Sequence, residues 1–258
     1  MKLLRRNIDS CTNLSLIIES DMITVCIATY NGEKYIGEQL ASILSQLSCD
    51  DEVIVSDDGS IDKTLSVVRG FADNRIRIVD GPHRNSPTLN FENALRHAKG
   101  DYIFLADQDD VWMEDKVKVC MKALEKSDCV VSDAIVTDDK LNVISTSMYN
   151  MLNVRQGRLY NLLCHNGYSG CCMAFKRKVL EKAIPFPKNA PMHDIWIGNV
   201  AAFFLNITFV RPHLVKFRRH DNVVSYNGKG SRYSIVRRFL IRFNTIKSLL
   251  RLAVRHVF

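Results

Sequence analysis

Three short, mostly apolar runs in this chain each stop at a cluster of polar side chains. Ile23-Thr24-Val25-Cys26-Ile27-Ala28 meets Thr29-Tyr30-Asn31. Val53-Ile54-Val55-Ser56 meets Asp57-Asp58-Gly59-Ser60, and Tyr102-Ile103-Phe104-Leu105-Ala106 meets Asp107-Gln108-Asp109-Asp110. Runs of this length and composition read as buried strands. Between and after them, apolar residues fall at helical spacing: Ile36, Leu40, Ile43, Leu44 and Leu47; Leu65, Val68 and Phe71; Leu89, Phe91, Ala94, Leu95 and Ala98; Val117, Cys120, Met121 and Leu124. Ile76-Arg77-Ile78-Val79 adds another short strand. Alternating strand and helix predicts an α/β fold, a mostly parallel central sheet flanked by helices. Such sheets bind ligands beyond the carboxyl ends of their strands. All three polar clusters lie at such ends, so they predict one site.

The site chemistry follows from the residue types. Asp107-x-Asp109 projects two carboxylates from one strand end, the donors that magnesium or manganese prefer alongside phosphate oxygens and water. A nucleoside diphosphate leaving group needs such a cation to neutralise the charge that develops as its bond breaks. The simpler possibility is that Asp109 or Asp110 caps a helix containing Val111 and Trp112, but capping uses one carboxylate and this loop has three. Asp57-Asp58-Gly59-Ser60 could hold a base or ribose, or be an ordinary Asp-Gly turn.

Beyond Ser132 the alternation breaks. Short strands are expected around Met173–Phe175 and Thr208–Val210, and helices near Leu159–Leu163 and Ile195–Leu205. From Ser231 an amphipathic helix is expected, with apolar Ile235, Val236, Phe239, Leu240, Phe243, Ile246, Leu249, Leu250, Val254 and Val257. Its basic residues are Arg237, Arg238, Arg242, Lys247, Arg251 and Arg255. Charge separates the same way. The 258-residue chain carries a net +7, yet residues 211–258 alone carry +11, leaving the remainder at −4. A basic amphipathic tail is expected to meet an anionic membrane surface; the alternative is packing on the protein's own core. Nucleic acid is not expected, because Phe239 and Phe243 of the tail belong to the apolar stripe and not to the basic positions. No run of eighteen apolar residues occurs, so no membrane span is expected. The basic stretch Met1–Arg6 lacks an apolar core after it, so no secretory signal is expected either. The eight cysteines form no C-x-x-C pair and are expected to be reduced, mostly buried thiols.

Order and spacing make these segments resemble the family 2 glycosyltransferases, which have the GT-A fold. Val25–Gly32 resembles their opening strand, Val55–Thr64 their second motif, and Phe104–Trp112 their D-x-D motif. Ser169–Phe175 resembles the acceptor-side strand of bacterial rhamnosyltransferase-like members. Met192-His193-Asp194-Ile195-Trp196 resembles the catalytic-base motif, and Phe217-Arg218-Arg219-His220 with Asn222 the C-terminal histidine motif. The chain departs from the pattern at Ala106-Asp107-Gln108 and at Cys172.

The resemblance implies that Thr29, Asn31, Glu33 and Asp58 hold the nucleotide. Asp107 would face the ribose or metal, and Asp109 the divalent cation, Mn2+ or Mg2+. His220 would serve metal or diphosphate, and Asp194 would be the base, unless it merely caps its helix. The implied activity is inverting transfer from a nucleotide-diphosphate sugar to a glycan or polyprenyl-linked acceptor of bacterial surface polysaccharide. The protein would work in the cytoplasm, peripheral at the inner membrane face. Alternatives are a nucleotidyltransferase, which usually has a glycine-rich basic loop where this chain has Thr29–Glu33, or a non-catalytic membrane-binding module. The expected organisation is an extension (1–22), a catalytic domain (23–230) and the tail (231–258). The domain would divide into a nucleotide-sugar half (23–132) and an acceptor half (133–230).

Overall fold

The computed structural model describes residues 21–220 and 234–255. Most of the 1–22 extension, Asn222 and Val257 lie outside the described residues.

The first half follows the expected alternation. Strands β1 (Ile23–Thr29), β2 (Glu52–Asp57), β3 (Ile76–Asp80) and β4 (Tyr102–Asp107) are connected through helices α1 (Ile36–Leu44), α2 (Thr64–Gly70) and α3 (Pro87–His97). They pair in parallel in the order β3-β2-β1-β4, with Ile27 opposite Val55 on one side and Ala106 on the other. The centre is apolar on both faces: Val25, Ile27, Ile54, Val55, Phe104 and Leu105 are fully buried. Asn90 of α3 donates from its amide to the carbonyls of Thr29 (3.2 Å) and Ser56 (2.9 Å). It thereby fixes the ends of β1 and β2 side by side, in register for a site. Helix α3 stops at His97, and Gly100 is needed where the chain passes β1, since a Cβ there would lie 2.6 Å from the Met22 carbonyl oxygen.

The second half turns the sheet mixed. After β5 (Val111–Trp112) and α4 (Lys116–Leu124) come β6 (Cys129–Thr137), β7 (Val143–Ser145), α5 (Met148–Met151) and α6 (Arg158–Leu163). Then follow a 3₁₀ turn (Gly170–Cys172), β8 (Met173–Lys176), α7 (Arg177–Ala183), α8 (His193–Phe204), β9 (Ile207–Arg218) and α9 (Ile235–Arg255). The full order is β3-β2-β1-β4-β8-β6-β9-β5, with β7 on β6. β8 runs antiparallel to both β4 and β6.

Two elements correct the sequence reading. Val111 and Trp112 form no helix; they pair antiparallel with Lys216 and Val215 of β9. β9 itself spans twelve residues, not the three of Thr208–Val210, because its charged and proline positions obscure the alternation that pairing with β6 supplies. Helix α9 lies against α6 and α8 and buries Leu249. Its Val236, Phe239, Leu240, Phe243, Leu250 and Val254 stay more than half exposed. Five of the eight cysteines are buried, Cys49 and Cys164 are exposed, and Cys11 lies outside the described residues.

Candidate active site

The carboxyl ends of β1, β2 and β4 are stitched to one another before any ligand is considered. The Thr29 hydroxyl (2.6 Å) and the Tyr30 amide (2.9 Å) both donate to the Gln108 side-chain oxygen, and Gln108 returns a bond to the Tyr30 carbonyl (3.1 Å). Asn31, with φ of 47°, donates its amide to Ser60 and accepts from the Ile61 amide. The Asp57 carboxylate accepts from the Gly59 and Ser60 amides, and Gly59 takes φ of +91°. The Asp-Gly turn is therefore real, and it is Asp57 that makes it. Asp58 points the other way and accepts the Arg84 (3.1 Å) and Ser86 (3.2 Å) amides at the approach to α3.

These loops rim a cavity of about 1070 Å³ whose other walls come from the second half of the chain. Thr29, Asn31, Asp58, Asp107, Asp109, Asp194 and His220 all line it. Glu33 does not: its carboxylate accepts the Lys63 amide at 2.8 Å, and so braces the second loop from outside.

Residues far apart in the chain meet here because β4 runs on into β5, and β5 pairs with β9. That pairing sets His220, two residues past β9, beside Asp109, with Nε2 2.8 Å from Oδ2. Arg218 fixes the junction. Its amide donates to Asp110 (2.9 Å) and its Nε to the Asp109 carbonyl (2.8 Å), and its Nη2 forms an ion pair with Glu38 (2.5 Å). Tyr35 stacks on His220 at 4.8 Å.

Charge is concentrated at this end. Burial, then the neighbouring Asp109 and Asp194 carboxylates, push Asp107 up to about 8. Burial, with Asp109 and Asp107 beside it, holds Asp110 well above the usual carboxylate range. The Asp110 Oδ2 is buried with no hydrogen-bond partner among the described residues. Carboxylates that converge in this way suit a divalent metal, which would restore their charged forms. Asp107, Asp109 and His220 could hold one. Among the described residues, the set whose ligand atoms all lie within 4.8 Å of one another is instead Asp107, Asp110 and Cys171, though a thiol is a soft donor.

Asp194 occupies the first turn of α8. The capping position is Met192, without a side-chain bond. The Asp194 carboxylate accepts the Ile195 amide (2.7 Å) and borders the cavity, and burial raises it to about 6. Sequence reasoning gave no role to its neighbour. His193 is buried with neither ring nitrogen bonded among the described residues. Its ring stacks on Phe91 at 3.9 Å, and burial lowers it to about 3, so the imidazole is neutral. Gln108, Asn90 and Arg218 were likewise missed as organisers. Their partners lie from 34 to 180 residues away, and no local pattern encodes that.

The family model described as "Glycosyl transferase family 2" matches residues 24–184. The chain is 27% identical over 234 residues to the dTDP-rhamnosyl transferase RfbG of Shigella flexneri, covering 82% of this chain and 79% of that one. It is 26% identical over 212 residues to the UDP-Glc:alpha-D-GlcNAc-diphosphoundecaprenol beta-1,3-glucosyltransferase WfgD of Escherichia coli, covering 80% of each. Among solved structures it resembles S. aureus TarS 1-349 in complex with UDP-GlcNAc, at TM-score 0.65 and 19% identity, over 85% of this chain and 64% of that one. It also resembles the mannosyltransferase PcManGT from Pyrobaculum calidifontis in complex with GDP-Man and Mn2+. That match has TM-score 0.54 and 26% identity over 74% of this chain and 54% of that one.

Proposed function

The chain belongs to glycosyl transferase family 2, and from that premise we propose that it transfers a sugar from a nucleotide-diphosphate donor with inversion, using Asp194 as base. One observation carries this reading: a single cavity gathers Asp107 and Asp109 from the end of β4, His220 from beyond β9, and Asp194 from the start of α8. Thr29, Asn31 and Asp58 line the part where the loops after β1 and β2 would take the nucleoside. A bound Mn2+ or Mg2+, held by Asp107, Asp109 and His220, would neutralise the leaving diphosphate. The match to a structure containing GDP-Man and Mn2+ supports that choice.

Asp194 suits the base role. Its raised carboxyl is ionised at neutral pH yet basic enough to take a proton from an acceptor hydroxyl. A base and a leaving group on opposite sides of the anomeric carbon give direct displacement, hence inversion. His193, neutral and with both ring nitrogens unbonded, can give or take a hydrogen bond beside it. The acceptor is a glycan or a polyprenyl-linked sugar of bacterial surface polysaccharide; the name of WfgD, with its GlcNAc-diphosphoundecaprenol acceptor, supports the polyprenyl-linked choice. The exposed apolar face of α9 and its basic flank support peripheral contact with an anionic inner membrane face. No helix among the described residues is long and apolar enough to cross a membrane.

The deciding experiment incubates the full chain with a panel of nucleotide sugars, with and without Mn2+, and measures released nucleoside diphosphate. Release with at least one donor, dependent on metal, is expected. No release from any donor, together with no metal-dependent nucleotide binding, would remove the reading.

A further inference from the structure

The lining of the cavity extends beyond the donor loops to the C-terminal helix. Helix α9 contributes Arg238, Ile241, Arg242 and Thr245 to its wall. Their spacing, i, i+3, i+4 and i+7, places them on one helix face. The exposed apolar residues Val236, Phe239, Leu240, Phe243, Leu250 and Val254 fall, at 100° per residue, on roughly the opposite face. One helix therefore presents apolar side chains outward and two arginines inward.

Those two are the only Lys or Arg residues among the described lining residues. Neither forms an ion pair with a carboxylate of a described residue. Arg242 donates from Nη2 to the Cys164 carbonyl at 2.5 Å, which orients the guanidinium and leaves its other N–H groups available. The same cavity is also lined by the uncharged Met148, Met151, Leu152 and Leu162. The cavity thus takes its carboxylates from β4, the loops after β2 and β4, and α8, and its guanidinium groups from α9. An anion in the cavity is drawn to the α9 arginines.

We propose that Arg238 and Arg242 clamp the diphosphate of a membrane-anchored acceptor, while the outer face of α9 rests in the lipid that holds its chain. This rests on the glycosyltransferase reading above and assigns its acceptor class. The acceptor sugar, linked to the clamped diphosphate, then extends through the cavity toward Asp194. Arginine suits the task because its planar fork can bond two phosphate oxygens at once. The remaining basic residues, including Arg251 and Arg255, supply only general attraction to anionic lipid.

The test uses the full chain and phosphatidylcholine vesicles of two kinds. One kind contains undecaprenyl diphosphate; the other contains phosphatidylglycerol at matched surface charge. Co-sedimentation is measured for the unaltered protein, Arg238→Ala/Arg242→Ala, Arg238→Lys/Arg242→Lys and Arg251→Ala/Arg255→Ala. Tighter binding to the diphosphate vesicles is expected for the unaltered protein. Arg238→Ala/Arg242→Ala should lose that preference by about tenfold or more, the scale of lost charge-assisted hydrogen bonds. The lysine pair should restore it in part. Arg251→Ala/Arg255→Ala should weaken binding to both vesicles equally. The proposal is overturned if the unaltered protein does not distinguish the vesicles, or if both alanine pairs reduce diphosphate binding alike. Metal-dependent binding of nucleoside diphosphates, measured without vesicles, reports on folding and on the donor reading separately. Its absence in the unaltered protein would sink the glycosyltransferase reading while leaving vesicle discrimination to be judged alone.

Discussion

The two ends of the cavity are built by opposite means. At the acidic end every element is tied to another: Asn90 bridges β1 and β2, Gln108 bridges β1 and β4, and Arg218 bridges β9 to Asp109, Asp110 and Glu38. Strands on both sides are buried. Such a site holds its groups in place before ligand arrives, which is what stabilising a developing charge requires. The basic end is one helix laid on α6 and α8, with Leu249 the only apolar side chain in the buried core among its described residues. Preorganised donors at one end and a lightly held helix at the other fit a reaction whose donor is small and whose acceptor is delivered by a surface.

This contrast ranks the substitutions. The largest loss is expected from Asp109→Asn, which keeps the shape but removes a charge from the cation site. Transfer should fall by about 10³-fold or more, and nucleotide binding should lose its metal dependence while the fold persists. Unchanged metal dependence would show that Asp109 is no ligand. Asp194→Asn comes next, with turnover down about 10²-fold and donor binding nearly intact. In the unaltered enzyme turnover should rise as pH passes through about 6, where Asp194 ionises. A rate that stays flat from pH 5 to pH 8, or near-normal turnover in the variant, would reject Asp194 as base.

A smaller effect concerns stability. Asp107 has an ordinary carboxyl value of 3.8 and is raised to about 8 in the folded protein. Between those values the folded chain keeps a proton that the unfolded chain has released. The native state then binds more protons, so stability falls as pH rises through that window. The metal-free protein should accordingly melt at lower temperature at pH 8 than at pH 5. Asp107→Asn should flatten the decline, and Mn2+ should recover stability at pH 8 in the unaltered protein more than in the variant. Parallel melting curves for the two proteins would break the link between charge convergence and stability.

What was legible in the sequence divides along the same line. The βαβα half was readable because β1, β2 and β4 are buried on both faces, so each appears as a largely apolar run ending in polar residues. The Asp107–Asp110 loop was readable as a cluster, but not its exit: Val111-Trp112 looks helical until β9 supplies a partner. The role implied for Glu33 came with its motif, whereas the structure places its carboxylate on the Lys63 amide, away from the cavity. His193 stood in plain view beside Asp194, yet its isolation from hydrogen-bond partners depends on packing against Phe91 that no local pattern announces. The tail's apolar stripe was legible; which residues of it would be buried was not. Leu249 went inward and its neighbours stayed out, because α6 and α8 cover only one side of the helix.

That last difference gives the gentlest test of the comparison. If α9 is a lightly held helix, a chain ending at Gly230 should still fold. Its main loss is the burial of Leu249, worth about 1.5–3 kcal/mol, with smaller terms from the partly buried Ile246 and Leu252. For a domain of this size the melting temperature should drop by several degrees, at about 2–4 °C per kcal/mol. The residues proposed to hold donor and metal belong to other elements, so metal-dependent nucleotide binding should persist. Co-sedimentation with anionic vesicles should instead be lost. In the full chain it should weaken as salt rises, since exposed charges are screened over about 10 Å at 0.1 M. A shortened chain that folds and still sediments with anionic vesicles as the full one does would move the membrane contact elsewhere. One that no longer folds would mean that α9 belongs to the core, and that the two ends of the cavity are built alike after all.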